Sequence, residues 1–257
     1  MTALGRYGLF GITVVVALGA SGLGVWQLKR LADRRAANRA ALAQRDLPTI
    51  DLNRESPPAD LAYRSVAGRG RFDFDNELVL RGRLLRGTPG IQVVTPFLPA
   101  GRDTAVLVNR GFLPTADAGP PAPRNLYPEP ERLEIHGTAL RTPDEGDGHP
   151  LQTPHGESWA RIDRSALMAR LPYPIAPYYV VLGMGPEDGP DHGERGSVLP
   201  IRVEPPPLDD GPHLSYAVQW FMIAAAALGF GMVFVLRGQP SSTAPDVAPP
   251  PADRPRP

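Results

Sequence analysis

The chain contains no cysteine. That absence excludes disulfides, iron–sulfur clusters, thiolate zinc sites and cysteine nucleophiles together. It also argues against copper(I) carriage, which favours thiolate and thioether ligands, because the five methionines are scattered. Lysine is nearly missing: Lys29 is the single lysine among 27 basic residues. An excess charge of either sign is missing too. The 27 basic and 27 acidic side chains give a formal net charge of zero, so a strongly basic nucleic-acid binder is excluded and no nucleic-acid partner is expected. No GxSxG elbow, phosphate loop, dinucleotide fingerprint or HExxH occurs. What abounds is proline (32) and glycine (27) in 257 residues, just under the density of low-complexity chains. A loop-rich domain with a disordered stretch is expected.

Charge is also missing from two long runs. Residues 7–28 lie between Arg6 and Lys29, and residues 214–236 between His213 and Arg237. At ~1.5 Å per residue each exceeds the ~30 Å hydrocarbon core of a bilayer. Both are apolar on every face and keep no amphipathic stripe, which counts against the alternative of a buried core helix. The predicted fold is a membrane protein in which N- and C-terminal transmembrane helices (7–28 and 214–236) bracket one β-rich α+β domain (29–213). The ends are a short N-terminus (1–6) and a proline-rich disordered tail (237–257). A signal peptide is the rival reading of the first run, with Arg6 as n-region and Gly19 to Gly22 as cleavage site. Trp26, then Lys29 and Arg30, suit an uncleaved anchor better. Ala20 with Gly24, and Ala225 with Gly229, are spaced for close helix approach. Orientation stays open on residues alone. Lys29, Arg30, Arg34, Arg35, Arg39 and Arg45 would hold the central segment in the cytoplasm, yet long segments translocate largely regardless of charge.

Within the central segment, 29–45 reads as a helix continuing from the first span. Strands are predicted at 64–72, 77–85, 92–98, 104–112, 132–140, 158–162, 178–182 and 198–203. A short helix is predicted at 163–171 with Asp163 as its N-cap. Proline-rich loops fall at 119–130, 143–154, 172–177 and 186–190. His149 and His155 lie near Asp144, Glu145 and Asp147, but their spacing matches no metal-ligand pair. They and His192 read as solvated loop residues, and His136 as an exposed strand residue. Arg81, Arg83 and Arg86 would share one strand face, either for an anionic partner or as a charged, solvated edge.

One cluster stands out at the mouth of the second run. His213, Tyr216, Gln219 and Trp220 fall within an arc of about 120° on a helix. Trp26, Gln27 and Arg30 leave the first run at the same membrane surface. Tyr and Trp alone would be interfacial anchors, but a glutamine inside a span usually faces protein or a cofactor. The cluster reads either as an anchored helix pair with aromatic belts or as a haem site. The latter would combine an apolar wall, a neutral imidazole and a cation for the propionates.

These residues also carry a resemblance. Trp26, Gln27, Leu28 and Arg30 are similar to the WQxxR signature of the surfeit-locus-one family of cytochrome c oxidase assembly proteins. His213, Tyr216, Ala217, Gln219 and Trp220 resemble its HxxYAxQW signature. Tyr63, Arg64, Val66 and Gly70, then Thr95 and Pro96, then 108–114 (VNRGFLP) resemble its central motifs, with Tyr179 and Gly183 as another match. Phe112 stands where the family often has Trp, and Pro212 where Asn is common. The chain resembles a bacterial, actinobacterial-type member over about residues 5–236.

The resemblance implies a cell-membrane protein with its central domain on the extracytoplasmic side and both ends cytoplasmic. It implies a non-enzymatic role in respiratory complex IV assembly: receiving haem a from haem a synthase and helping to place it in oxidase subunit I. It makes His213 the iron ligand, with Tyr216, Gln219, Trp220, Trp26, Gln27 and Arg30 around it, and the lipid bilayer a further partner. Three other readings remain: a cofactor-free scaffold for oxidase intermediates, a two-span receptor, and a membrane-tethered hydrolase with its dyad on distant loops.

Overall fold

The computed structural model describes residues 3–54, 61–115, 132–142, 150–153, 156–183 and 199–237. Histidines 149, 155 and 192, the acidic residues 144, 145 and 147, most of the proline-rich loops and the 238–257 tail lie outside them. The chain forms two compact units, one of residues 1–35 with 210–257 and one of residues 36–209.

The first unit is a helix pair. Helix α1 runs unbroken over Ala3–Arg45, its last ten residues lying in the second unit, and the C-terminal helix α3 spans His213–Leu236. On the part of α1 that belongs to the first unit, the buried positions are Thr13, Ala17, Ala20, Gly24 and Leu31. On α3 they are Ala217, Ala224 and Gly231, with Trp220 and Ala227 partly buried beside them. Steps of three and four alternate, giving the 3.5-residue period of a left-handed helix pair. Small residues let the backbones approach. The Phe221 ring lies over Gly24, where a Cβ would come within 2.8 Å of it, and a Cβ on Gly231 would collide with Thr13 Oγ1. That hydroxyl is satisfied by donating to Phe10 O at 2.8 Å.

Ala20 and Gly24 thus lie in the seam as expected, but Ala225 and Gly229 do not. Both are exposed. A shift of one residue turns a helical side chain by 100°, and the seam instead takes Ala224 and Gly231. The outer faces stay apolar, with Ile12, Val15, Leu18, Met222 and Phe230 all more than half exposed. Both helices are long and apolar enough to cross a membrane.

The second unit is a β-barrel. Its strands are β1 (Ile50–Asp51), β2 (Arg64–Phe72), β3 (Leu78–Leu85), β4 (Thr88–Pro99), β5 (Ala105–Pro114), β6 (Arg132–Arg141), β7 (Leu151–Thr153), β8 (Gly156–Ser158) and β9 (Ile175–Leu182). Helix α2 (Arg164–Met168) precedes β9. The main sheet runs β1-β2-β6-β9-β5-β4-β3, and an additional β2–β4 pairing closes it. Five strands form the ring. Numbered in chain order they run first, second, third, fifth, fourth, with β5 and β9 parallel and the other pairs antiparallel. This is the order of the five-stranded Greek-key barrel of OB type.

Alternation along β5 organises the interior. Val106 and Val108 point into the barrel core with Val66, Phe97, Ile135 and Val180. Leu107 points outward, onto a second core with Leu80, Trp159, Ile162 and Leu167. Both faces are therefore covered, which is why residues 105–108 of β5 read as a continuous apolar run.

Most predicted strands are present, and Asp163 caps α2 by accepting from Ala166 N at 3.0 Å. Three expectations need correction. The 158–162 strand ends at Ser158, with Trp159 following as an isolated bridge to Leu80. Within 198–203 only Ile201 makes a bridge, to Phe112, and residue 198 lies outside the described residues. The arginines of β3 neither share one face nor stand as a solvated edge. Gly82 (φ +70°) interrupts the pairing register and Arg86 (φ +50°) sits in the turn. Arg81 and Arg83 donate to the carbonyls of Ser158 (2.6 Å) and Ala160 (2.8 Å), pinning a covering segment over the edge. His136 is half-buried, its Nε2 3.5 Å from a Glu134 carboxylate oxygen.

Candidate functional site

The helix pair brings one histidine against one glutamine. His213 opens α3 behind Pro212, which offers no side-chain cap. Gln27 lies on the α1 seam, seven residues after Ala20. The two side chains meet with His213 Nδ1 2.9 Å from Gln27 Oε1. With the amide oxygen toward the ring, Nδ1–H is the donor of this pair. The other edge of the ring faces Gly211. This glycine has φ +63°, and a Cβ there would sit 3.6 Å from His213 Nε2. A side chain at 211 would therefore strain the turn, while its Cβ would meet that nitrogen at ordinary van der Waals distance.

The other predicted site residues divide. Trp220 joins the seam, packed on Ala17, Ala20 and Ala224. The Arg30 guanidinium lies 5.6 Å from the Trp26 ring centroid, one turn along α1. Trp26, Tyr216 and Gln219 are exposed. Tyr216 and Gln219 flank the seam without entering it, so the 120° arc has its histidine edge against α1 and its glutamine edge outward. Gly211 is a site residue that sequence reasoning passed over. The Gly-Pro pair before the helix was the available signal. Among the described residues no three His, Cys, Asp or Glu side chains gather as a metal cage.

The profile of the SURF1 family matches residues 14–225. The chain belongs to the SURF1 family. A SURF1-like protein of Monosiga brevicollis is 28% identical over 90% of this chain and 88% of its own length. One of Drosophila melanogaster is 27% identical over 80% and 70%. An uncharacterized SURF1-like protein of Mycobacterium tuberculosis is 28% identical over 91% and 84%. SURF1 family membership implies a role in cytochrome oxidase assembly, and SURF1 family proteins are assembly factors rather than known enzymes.

The other motifs resembling the SURF1 family build the barrel. Tyr63 holds an uncommon φ of +65° and donates from its hydroxyl to Pro206 O at 2.9 Å. Arg64 donates to Pro48 O (3.0 Å) and to Gln44 Oε1 on α1 (3.3 Å). Tyr63 and Arg64 thus fasten the end of α1 and the 204–208 segment to β2. Alternation sends Arg110 inward and Asn109 outward from β5. Arg110 is fully buried, 2.6 Å from Glu77 Oε2 and 5.0 Å from the Phe74 ring centroid. Thr95 donates to the same Glu77 oxygen at 2.7 Å. Gly111 (φ +140°) permits the backbone approach to Ile201.

Proposed function

We propose that this protein is a membrane-anchored assembly factor of cytochrome c oxidase that holds haem a as cargo at the mouth of its helix pair. In this reading α1 and α3 both span the membrane, and the barrel lies on the extracytoplasmic side. Exposed aliphatic and aromatic side chains on the outer faces support the spans, because water would leave that surface unpaid for. The cell membrane follows from the bacterial resemblance.

The observation that carries the reading is the His213–Gln27 hydrogen bond. A neutral imidazole whose Nδ1–H is held by an amide oxygen presents Nε2 as a ligand of fixed orientation. One such nitrogen suffices for haem, whereas a bare cation would need several donors. Trp26, Trp220 and Tyr216 offer apolar wall to a macrocycle. Arg30 supplies a cation for an anionic propionate, and Gln219 a further hydrogen-bonding group. Haem a synthase is the donor and oxidase subunit I the acceptor. No bond in the cargo is made or broken. The chain's own residues ligate, orient and shield.

The test is the visible spectrum of the full chain, purified in detergent after coexpression with haem a synthase, beside its His213→Ala variant. Stoichiometric haem a in the wild type, lost or spectrally altered in the variant, is expected. An unchanged spectrum in the variant would remove His213 from the site. A colourless wild type that still copurifies with subunit I would replace haem delivery by a cofactor-free scaffold.

A further inference from the structure

The outer face of the barrel carries a second polar site, distant in sequence from the haem reading and independent of it. Beneath the 161–162 segment, a surface pocket of about 220 Å³ opens across β3, β4, β5 and β9. Arg83, Gln92, Asn109, Arg161 and Tyr179 supply its polar lining, and Leu80 and Ile162 its apolar part. Among the described residues no carboxylate lines it.

The amide orientations follow from one backbone group. Gly111 N–H can only donate, and it meets Asn109 Oδ1 at 3.1 Å. Asn109 therefore turns Nδ2 the other way, donating to Gln92 Oε1 at 3.1 Å. That engages the Gln92 oxygen and leaves its Nε2 as the free arm. Arg83 is half-buried and uses Nη2 on Ala160 O. Its Nε is buried with no hydrogen-bond partner among the described residues. Burial holds the Arg83 guanidinium below its ordinary arginine value, with Tyr179 opposing the shift. The lining is thus two guanidiniums, an amide NH2 and a phenol, almost all donors. A half-buried guanidinium without a carboxylate is costly, and an anion in contact with it removes the cost.

We propose that this pocket binds an oxyanion, a carboxylate or phosphate group, through Arg83 and Gln92. Its volume sets the class. Pockets for drug-sized ligands run to roughly 300–1,000 Å³, so this one takes a single acidic group on a short stem. Asn109 belongs to the VNRGFLP segment and Tyr179 to another family-like match, but neither motif by itself implied a pocket. Arg161 and Gln92 carried no sequence signal.

The experiment is thermal unfolding of the full chain in detergent, titrated separately with sodium phosphate and sodium acetate against sodium chloride at matched ionic strength. At ten times Kd a saturable rise of roughly 3 to 6 °C is expected for the binding anion. A response to phosphate alone assigns a phosphate source, and one to acetate alone a carboxylate source. Arg83→Gln should lose the response. Gln92→Glu places a carboxylate beside Arg83 and should raise the midpoint in anion-free buffer while abolishing the response. The proposal is overturned if phosphate and acetate do no more than chloride for the wild type. It is also overturned if both variants keep the wild-type response.

Discussion

Arg110 meets Glu77 inside the barrel at 2.6 Å, its side chain fully buried and that of Glu77 9% exposed. The guanidinium also lies against Phe72 and Phe74, and Thr95 shares the carboxylate oxygen. Buried ion pairs punish single deletions more than double replacement, because a lone partner keeps its desolvation cost. Arg110→Met should therefore destabilise the barrel by about 3–5 kcal/mol. Adding Glu77→Gln should restore a substantial part. Denaturant midpoints of the two variants check this. A double variant no more stable than Arg110→Met would mean that packing, not charge, holds this corner.

Gly24 is the point where α1 yields to the Phe221 ring. Gly24→Leu should part the helices near this level. The native absence of cysteine supplies the assay. A Cβ on Gly231 would stand 3.1 Å from Thr13 Cβ, close to the ~3.5–4.5 Å of a disulfide. Thr13→Cys with Gly231→Cys should cross-link on mild oxidation in an otherwise native chain, and Gly24→Leu should reduce the yield several-fold. Full cross-linking with Gly24→Leu would show that the seam absorbs the side chain.

In the proposed haem site, Gln27 would position the His213 ring without needing to touch the cargo. Gln27→Leu removes the acceptor of Nδ1–H. Loss of such an outer partner typically weakens metal binding about 10–100-fold. Haem a occupancy should fall by that order while the axial-ligand spectrum of the remaining fraction shifts. Gln27→Glu, which keeps an acceptor, should restore occupancy. Identical titration curves for wild type and Gln27→Leu would sever the link between the two signatures.

Tyr178 is buried in the barrel core, and burial pushes its phenol up to about 12, with Arg102 pulling in the opposite direction. The folded state therefore retains this proton above the ordinary tyrosine value near 10. The resulting stability is complete below pH ~10 and is lost as pH rises through about 12. It amounts to about 2 to 3 kcal/mol. Tyr178→Phe keeps the ring and removes the titration, so the variant's stability should decline less steeply over that alkaline window. Parallel wild-type and variant profiles would count against it.

Several elements were legible because their causes are local. Short strand-forming runs between turn residues marked β2, β3 and β6, and Asp163 announced α2 by its capping chemistry. β4 was read as 92–98 but runs over Thr88–Pro99, because two partners extend it: β3 along its first half and β2 along its end. The two-residue β1 was too short to show a period and exists through its parallel pairing with β2. His213, Gln27 and Trp220 were legible as a set because two helices bring fixed faces together. Gln219 was expected to face protein or a cofactor, and its face lies outside the helix seam.

By itself the sequence determined where the two apolar helices run, the outward continuation of α1 to Arg45, and most strand positions. Those depend on charge-free length, on residue propensity and on short-range alternation, all written within a few turns or strands. Only the tertiary structure decided the barrel closure through β2 and β4, the choice of Ala224 and Gly231 for the seam, and the convergence of Arg83 and Asn109 on one pocket. Each of these sets residues far apart in the chain against one another, and register or rotation by a single residue reverses which side chain faces inward.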